Sequence, residues 1–98
     1  PGQYLDYAAS KGAIDSMTLG LAKEVAAEGI RVNAVRPGLI ETELHASGGL
    51  PNRVQELAHQ VPIQRGGSAL EVAQAIVWLL SEEASYTTMS FLDVSGGR

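Results

Sequence analysis

The sequence predicts an α/β chain built on parallel strands, and three observations carry that reading. A long helical pattern runs directly into a short β-branched segment, Ile30-Arg-Val-Asn-Ala-Val35. A second helix opens on a capping box at Ser68-Ala-Leu-Glu71, and a second strand-like segment, Ser90 to Ser95, follows it. Helix and strand in alternation are the units of a parallel sheet, whose strands are joined by helical crossovers. Hydrophobic residues make up 45% of the 98, enough for a core.

The elements follow in order. Pro1 to Tyr4 read as a loop. A helix is expected from about Asp6 to Glu28, with Gly29 as its stop. At about 100° per residue, Tyr7, Lys11, Ile14, Thr18, Leu21 and Val25 share one stripe, which should face the core. Ala9, Gly12, Ala13, Ser16 and Gly20 lie opposite. Glycine inside a helix costs roughly 1 kcal/mol relative to alanine, so this small-residue face suggests a helix buried twice, against the sheet and against a neighbouring helix of the same chain or of a partner. Ile30 to Val35 is the first strand, ended by Pro37-Gly38. Leu39 to Ser68 is irregular, broken by Gly48-Gly49, Pro51, Pro62 and Gly66-Gly67. Short helices are expected at Thr42 to Ala46 and Asn52 to Gln60. From Ser68 the second helix should bury Val72, Ala75, Ile76, Leu79 and Leu80, with Trp78 beside them. Ser90 to Ser95 is the final strand, closed by Gly96-Gly97.

Composition narrows the function. Seven basic residues, scattered, stand against eleven acidic ones, for a net charge of -4. That disfavours nucleic acid and anionic membrane surfaces as partners. With no cysteine, disulfides, thiolate catalysis and cysteine-rich metal sites are excluded. His45 and His59 show no metal-ligand spacing, and no metal site is expected. No apolar run approaches a membrane span, no signal peptide is visible, and a cytoplasmic location is the expectation.

The chemistry-bearing feature is Tyr7-Ala-Ala-Ser-Lys11. Residues four apart lie on one helix face, so a phenol and an ammonium stand side by side. A tyrosine ordinarily titrates near 10, too high for efficient proton exchange at neutral pH, and an adjacent positive charge favours the phenolate. Spacing alone leaves two readings open: a solvated surface pair or a general acid/base unit. Asn33 lies inside a predicted strand and reads as structural. Glu41 and Glu43 read as a solvated turn. Arg65 reads as an anchor for its loop, to a partner the sequence does not name.

At this point the sequence resembles the C-terminal part of the short-chain dehydrogenase/reductase family. Tyr7-Ala-Ala-Ser-Lys11-Gly12-Ala13 looks like its Tyr-x-x-x-Lys helix. Gly29-Ile-Arg-Val-Asn33-Ala-Val-Arg-Pro37-Gly38 is similar to its sixth strand and turn, and Ile40-Glu-Thr42 to its cofactor-contacting residues. Pro62-Ile-Gln-Arg65 and Glu71-Val-Ala73 match its approach to the last helix, and Leu92-Asp-Val-Ser-Gly96-Gly97 is like its terminal strand. These elements in order are a far more specific signal than a lone Tyr-x-x-x-Lys.

The resemblance implies the C-terminal part of a Rossmann-like, doubly wound parallel sheet, with residues 1 to 98 forming one portion of a single domain. It implies hydride transfer between NAD or NADP and an alcohol/carbonyl pair of a small-molecule substrate. Tyr7 would be the general acid/base. Lys11 would lower its pKa and hydrogen-bond the nicotinamide ribose. Pro37-Gly38 would turn the chain at the carboxyl end of a parallel strand, where ligands of open α/β sheets bind. Backbone groups near Ile40 would pair with the carboxamide, and the Thr42 hydroxyl would reach the carboxamide or the phosphates, although Thr42 is also a fair helix N-cap.

The sequence also departs from the pattern. It holds no Gly-x-x-x-Gly-x-Gly loop, no Asn-Asn-Ala-Gly segment and no serine a dozen residues before Tyr7. The expectation is therefore a portion of a longer enzyme, inactive by itself, whose absent N-terminal half holds the residue that selects NAD or NADP. The resemblance implies a homotetramer, since the family pairs this helix across a subunit interface, which the small-residue face fits, and commonly makes another contact through its last strand. A non-catalytic fragment or degenerate homologue acting as an assembly module is the alternative. Thr88-Met89 stands where the family has Thr-Gly, so the turn into the last strand is expected to differ locally, because Met takes positive φ less readily than Gly.

Overall fold

The computed structural model describes residues 2–41 and 53–98. Helix α1 spans Gly2–Val25 and tightens into a single 3₁₀ turn at Ala26–Glu28, and Gly29 follows at φ 80°. The stop at Gly29 is as expected. The start is earlier than expected: Gln3, Tyr4 and Leu5 hold no helix breaker, and proline ahead of them is compatible with a first helical turn.

Strand β1 covers Ala34–Pro37 and β2 covers Ile40–Glu41. Helix α2 spans Arg53–Leu57 and passes into a 3₁₀ turn at Ala58–Gln60, as expected for that stretch. The helix expected at Thr42 to Ala46 lies outside the described residues. Strand β3 is Gly67–Ser68, helix α3 is Ala69–Leu80, and β4 is Phe91–Val94. The first strand thus lies later than Ile30 to Val35. Strands β2 and β3, read from the sequence only as parts of an irregular segment, are additional.

Strands β1 and β4 are neighbours in one two-stranded sheet, β2 and β3 in another. The second is parallel, with Ile40 opposite Gly67 and Glu41 opposite Ser68. In the first, the Ala34 N–H donates to Ser90 O and the Gly38 N–H to Val94 O, both at 2.9 Å. Partners that advance in step mark parallel strands.

Two compact units make up the chain: residues 1–34 with 85–91, and residues 35–84 with 92–98. In the first, α1 buries Ala22 completely and Thr18 to 8% exposure. Here Asn33 decides the local structure. Its side-chain amide donates to Thr87 O at 2.9 Å, and its side-chain oxygen accepts from the Ser90 N–H at 3.0 Å. The Val32 N–H donates to the Thr88 hydroxyl, and the Met89 N–H to Val32 O. The structural reading of Asn33 is thus borne out. These bonds explain why residues 31–33 stay outside the strand: side chains satisfy groups that a ladder would otherwise pair. Met89 sits at φ 61°. The local difference expected at this turn is therefore not found: Met89 takes the left-handed conformation of glycine and is held in it by the surrounding bonds.

In the second unit, Val54, Val61, Leu79 and Ala84 are buried. The capping box is formed: the Glu71 N–H donates to Ser68 Oγ at 3.1 Å, and the Ser68 N–H donates to Glu71 Oε1 at 3.0 Å. Of the apolar face expected for α3, Leu79 is buried and Val72 and Ala75 are half-buried. Ile76, Trp78 and Leu80 stay exposed.

Candidate active site

Tyr7 and Lys11 lie on successive turns of α1, as the spacing requires. The Lys11 ammonium stands over the Tyr7 ring, 5.5 Å from its centroid, within the range of a cation–π contact. The Ser10 hydroxyl between them donates to Tyr7 O at 2.9 Å, so it turns back onto the helix and leaves the ring face to Lys11. Tyr7 is 58% exposed. The stripe to which it belongs does not face a core among the described residues: Ile14 and Leu21 are exposed too, and burial falls instead on Thr18 and Ala22. The Thr18 hydroxyl donates to Ile14 O at 2.8 Å, which satisfies its polar group inside the covered strip.

The remaining expected residues belong to the second unit. Pro37 is the last residue of β1, and Gly38 bonds onward to Val94. A Cβ on Gly38 would stand 2.8 Å from both the Cα and the Cβ of Ser95. Only glycine lets the chain turn this close to the strand beside it. Ile40 follows in β2. Because Ile40 is paired opposite Gly67, and the Gly67 N–H donates to Leu39 O at 2.8 Å, the ladder uses Leu39 rather than Ile40. In a parallel pair this alternation turns the N–H and C=O of Ile40 away from β3. One donor and one acceptor are thereby presented together at the strand's other edge. Thr42 lies outside the described residues.

Sequence reasoning left Arg65 without a partner, and the structure supplies one. Arg65 holds Glu71 through two bonds, Nη1 to Oε1 at 2.8 Å and Nη2 to Oε2 at 3.0 Å. This fork pulls the Glu71 carboxyl down from 4.5 to about 2, with the Ser68 N–H the next contributor. Arg65 is raised in turn, first by its bond to Glu71 and also by the charge of Glu41 on β2. Gly66-Gly67 looked like a simple breaker, and its role as the strand facing Ile40 carried no local signal.

Among the described residues no helix is long and apolar enough to cross a membrane, and no group of three or more His, Cys, Asp or Glu is placed to hold a metal ion.

Known proteins place this geometry. A family model described as Enoyl-(Acyl carrier protein) reductase matches residues 2–98. The chain is 67% identical over 98 residues to the Uncharacterized oxidoreductase YgfF of Escherichia coli (strain K12), covering 100% of this chain and 40% of that protein. It is 46% identical to the 3-oxoacyl-[acyl-carrier-protein] reductase FabG of Thermotoga maritima, covering 99% of this chain and 39% of the other. Among solved structures, an NADPH-bound short chain oxidoreductase from Pseudomonas aeruginosa PAO1, described as containing an atypical catalytic center, is 34% identical with a TM-score of 0.79, over 91% of this chain and 37% of its own. The promiscuous reductase LugOII is 34% identical with a TM-score of 0.84, over 95% and 36%. The chain thus spans about 40% of the length of the curated relatives it matches. A Tyr-x-x-x-Lys helix, parallel strands and a family match from residue 2 to residue 98 lead to one assignment: the chain belongs to the short-chain dehydrogenase/reductase family.

Proposed function

We propose that this chain is the catalytic-helix portion of an NAD- or NADP-dependent oxidoreductase that interconverts a small-molecule alcohol and its carbonyl. The reading rests above all on Tyr7 and Lys11, adjacent on α1 with the phenol exposed and the ammonium over its ring. Tyr7 gives its proton to the developing alkoxide in reduction, and takes the hydroxyl proton in oxidation. Lys11, its ammonium over the Tyr7 ring, donates to the nicotinamide ribose.

The residues present suit the nicotinamide end of a dinucleotide. A carboxamide has both a donor and an acceptor, and the outward N–H and C=O of Ile40 answer both. The Pro37-Gly38 turn sets the path of the chain into that strand, and the Thr42 hydroxyl serves the carboxamide or a phosphate. When bound, the dinucleotide supplies or accepts the hydride. A phosphate-binding loop and the remaining catalytic residues belong, in this proposal, to a preceding segment of the same enzyme. A cytoplasmic homotetramer completes it.

The test is Tyr7→Phe in the complete enzyme. Removing a general acid/base is expected to lower turnover by roughly 10²–10⁴-fold, with dinucleotide binding and circular dichroism retained. Near-normal turnover would overturn the assignment and favour the assembly-module reading.

A further inference from the structure

We infer that Arg65 is a positioning residue for the dinucleotide: by clamping Glu71 it fixes β3, and through β3 it fixes the outward backbone pair of Ile40. The inference rests on the cofactor reading of Ile40 given above and adds to it a residue that touches no cofactor.

Strands β2 and β3 are two residues each. A pair this short is marginal on its own backbone bonds. Among the described residues, a cavity of about 60 Å³ adjoins the pair, lined by Leu39, Ile40, Arg65, Gly67 and Glu71 among others. The approach is also close: a Cβ on Gly67 would stand 2.9 Å from Ile40 Cδ1. The Gly67 N–H donates to Leu39 O at 2.8 Å, so a shift of β3 is passed to the backbone beside Ile40.

The bonds around Glu71 are what prevent such a shift. Its carboxylate accepts the Ser68 N–H at 3.0 Å, which fixes the end of β3 to the first turn of α3. The same carboxylate takes the Arg65 fork, and Arg65 Nη1 also donates to Gly66 O at 3.1 Å. Residues 65 to 68 are thus tied at both ends to one carboxylate. Glu41, the β2 residue opposite Ser68, adds its charge to the field at Arg65. A bidentate guanidinium–carboxylate pair fixes orientation as well as distance. Lysine can supply the charge but not the fork.

The experiment uses the complete enzyme and three proteins: the parent, Arg65→Met and Arg65→Lys. Arg65→Met removes the clamp and leaves the Ser68–Glu71 capping box in place. Dissociation constants for NADH and NADPH, KM for the preferred dinucleotide, kcat and Tm are measured for each. The expected result is a roughly 5- to 10-fold rise in the dissociation constant and KM of the preferred dinucleotide in Arg65→Met. Turnover at saturating dinucleotide is retained, the fall in Tm is small because the pair is exposed, and Arg65→Lys recovers part of the loss. A dissociation constant within twofold of the parent in both variants would overturn the inference. So would a loss of binding that merely tracks the loss of folded protein by circular dichroism. A parent enzyme that binds neither dinucleotide overturns the cofactor reading itself, which is a separate and distinguishable failure.

Discussion

Met89 and Asn33 show how one side chain keeps a turn that another residue type would form more easily. Met89 holds φ 61°, a conformation that costs an L-residue about 1–2 kcal/mol. Met89→Gly is therefore expected to raise stability by about 0.5–1 kcal/mol, part of the gain being offset by the greater freedom of glycine in the unfolded chain. Chemical denaturation of the two proteins checks it. Asn33→Ala removes a donor to Thr87 O and an acceptor for the Ser90 N–H in a half-buried setting. A loss of about 1–3 kcal/mol is expected, because the two backbone groups lose their partner. An unchanged denaturation midpoint would show that water replaces the amide. Asn33 was legible as structural from its place in an alternating segment. Its bracket around residues 87–90 was not, because the residues involved lie far apart in sequence.

The best-determined element is the start of α3. Ser68-Ala-Leu-Glu71 announces a capping box, and both of its bonds are present. Ser68→Ala is expected to cost about 1 kcal/mol. Glu71 adds a pH signature. Its carboxyl lies at about 2 in the folded chain against an ordinary 4.5, so the folded state favours its charged form. The resulting stabilisation is complete above the unfolded value, and it is lost as pH falls from there through the folded one. Glu71→Gln is accordingly expected to flatten the Tm-against-pH curve on that acid limb while changing its slope little near neutrality. An unaltered acid limb would show that the Arg65 fork is not maintained in solution. Strands β2 and β3 were illegible for the opposite reason. Two-residue strands leave no period to detect, and their pairing depends on contact between segments separated by the irregular stretch.

At the scale of the whole molecule, the telling observation is how many large apolar side chains stay exposed among the described residues. Among the described residues, Ala22, Val54, Val61, Leu79 and Ala84 are the buried hydrophobic ones, whereas Ile14, Leu21, Val77 and Leu80 are exposed. Among the described residues, nothing beyond the helix's own backbone stands within 4 Å of a Cβ added to Gly12 or Gly20. Among the described residues the small-residue face of α1 and the side of α3 that carries Val77 and Leu80 are thus exposed, in a chain that spans about 40% of these curated relatives. The homotetramer belongs to the same proposal as the activity. Size-exclusion chromatography with light scattering on the complete enzyme is expected to give four times the subunit mass. A monomer would leave the covering of both faces to the rest of its own chain.

The sequence determined the α/β class, the two main helices and the adjacency of Tyr7 and Lys11, because each depends on local periodicity, capping or helical spacing. It misplaced the first strand and overestimated how much of the Tyr7 stripe is covered, because burial depends on what the rest of the molecule brings to a face. Only the tertiary structure decided which way the backbone of Ile40 points and what Arg65 holds. Both follow from β3 meeting β2 across the irregular segment, where contact, not local propensity, sets the geometry.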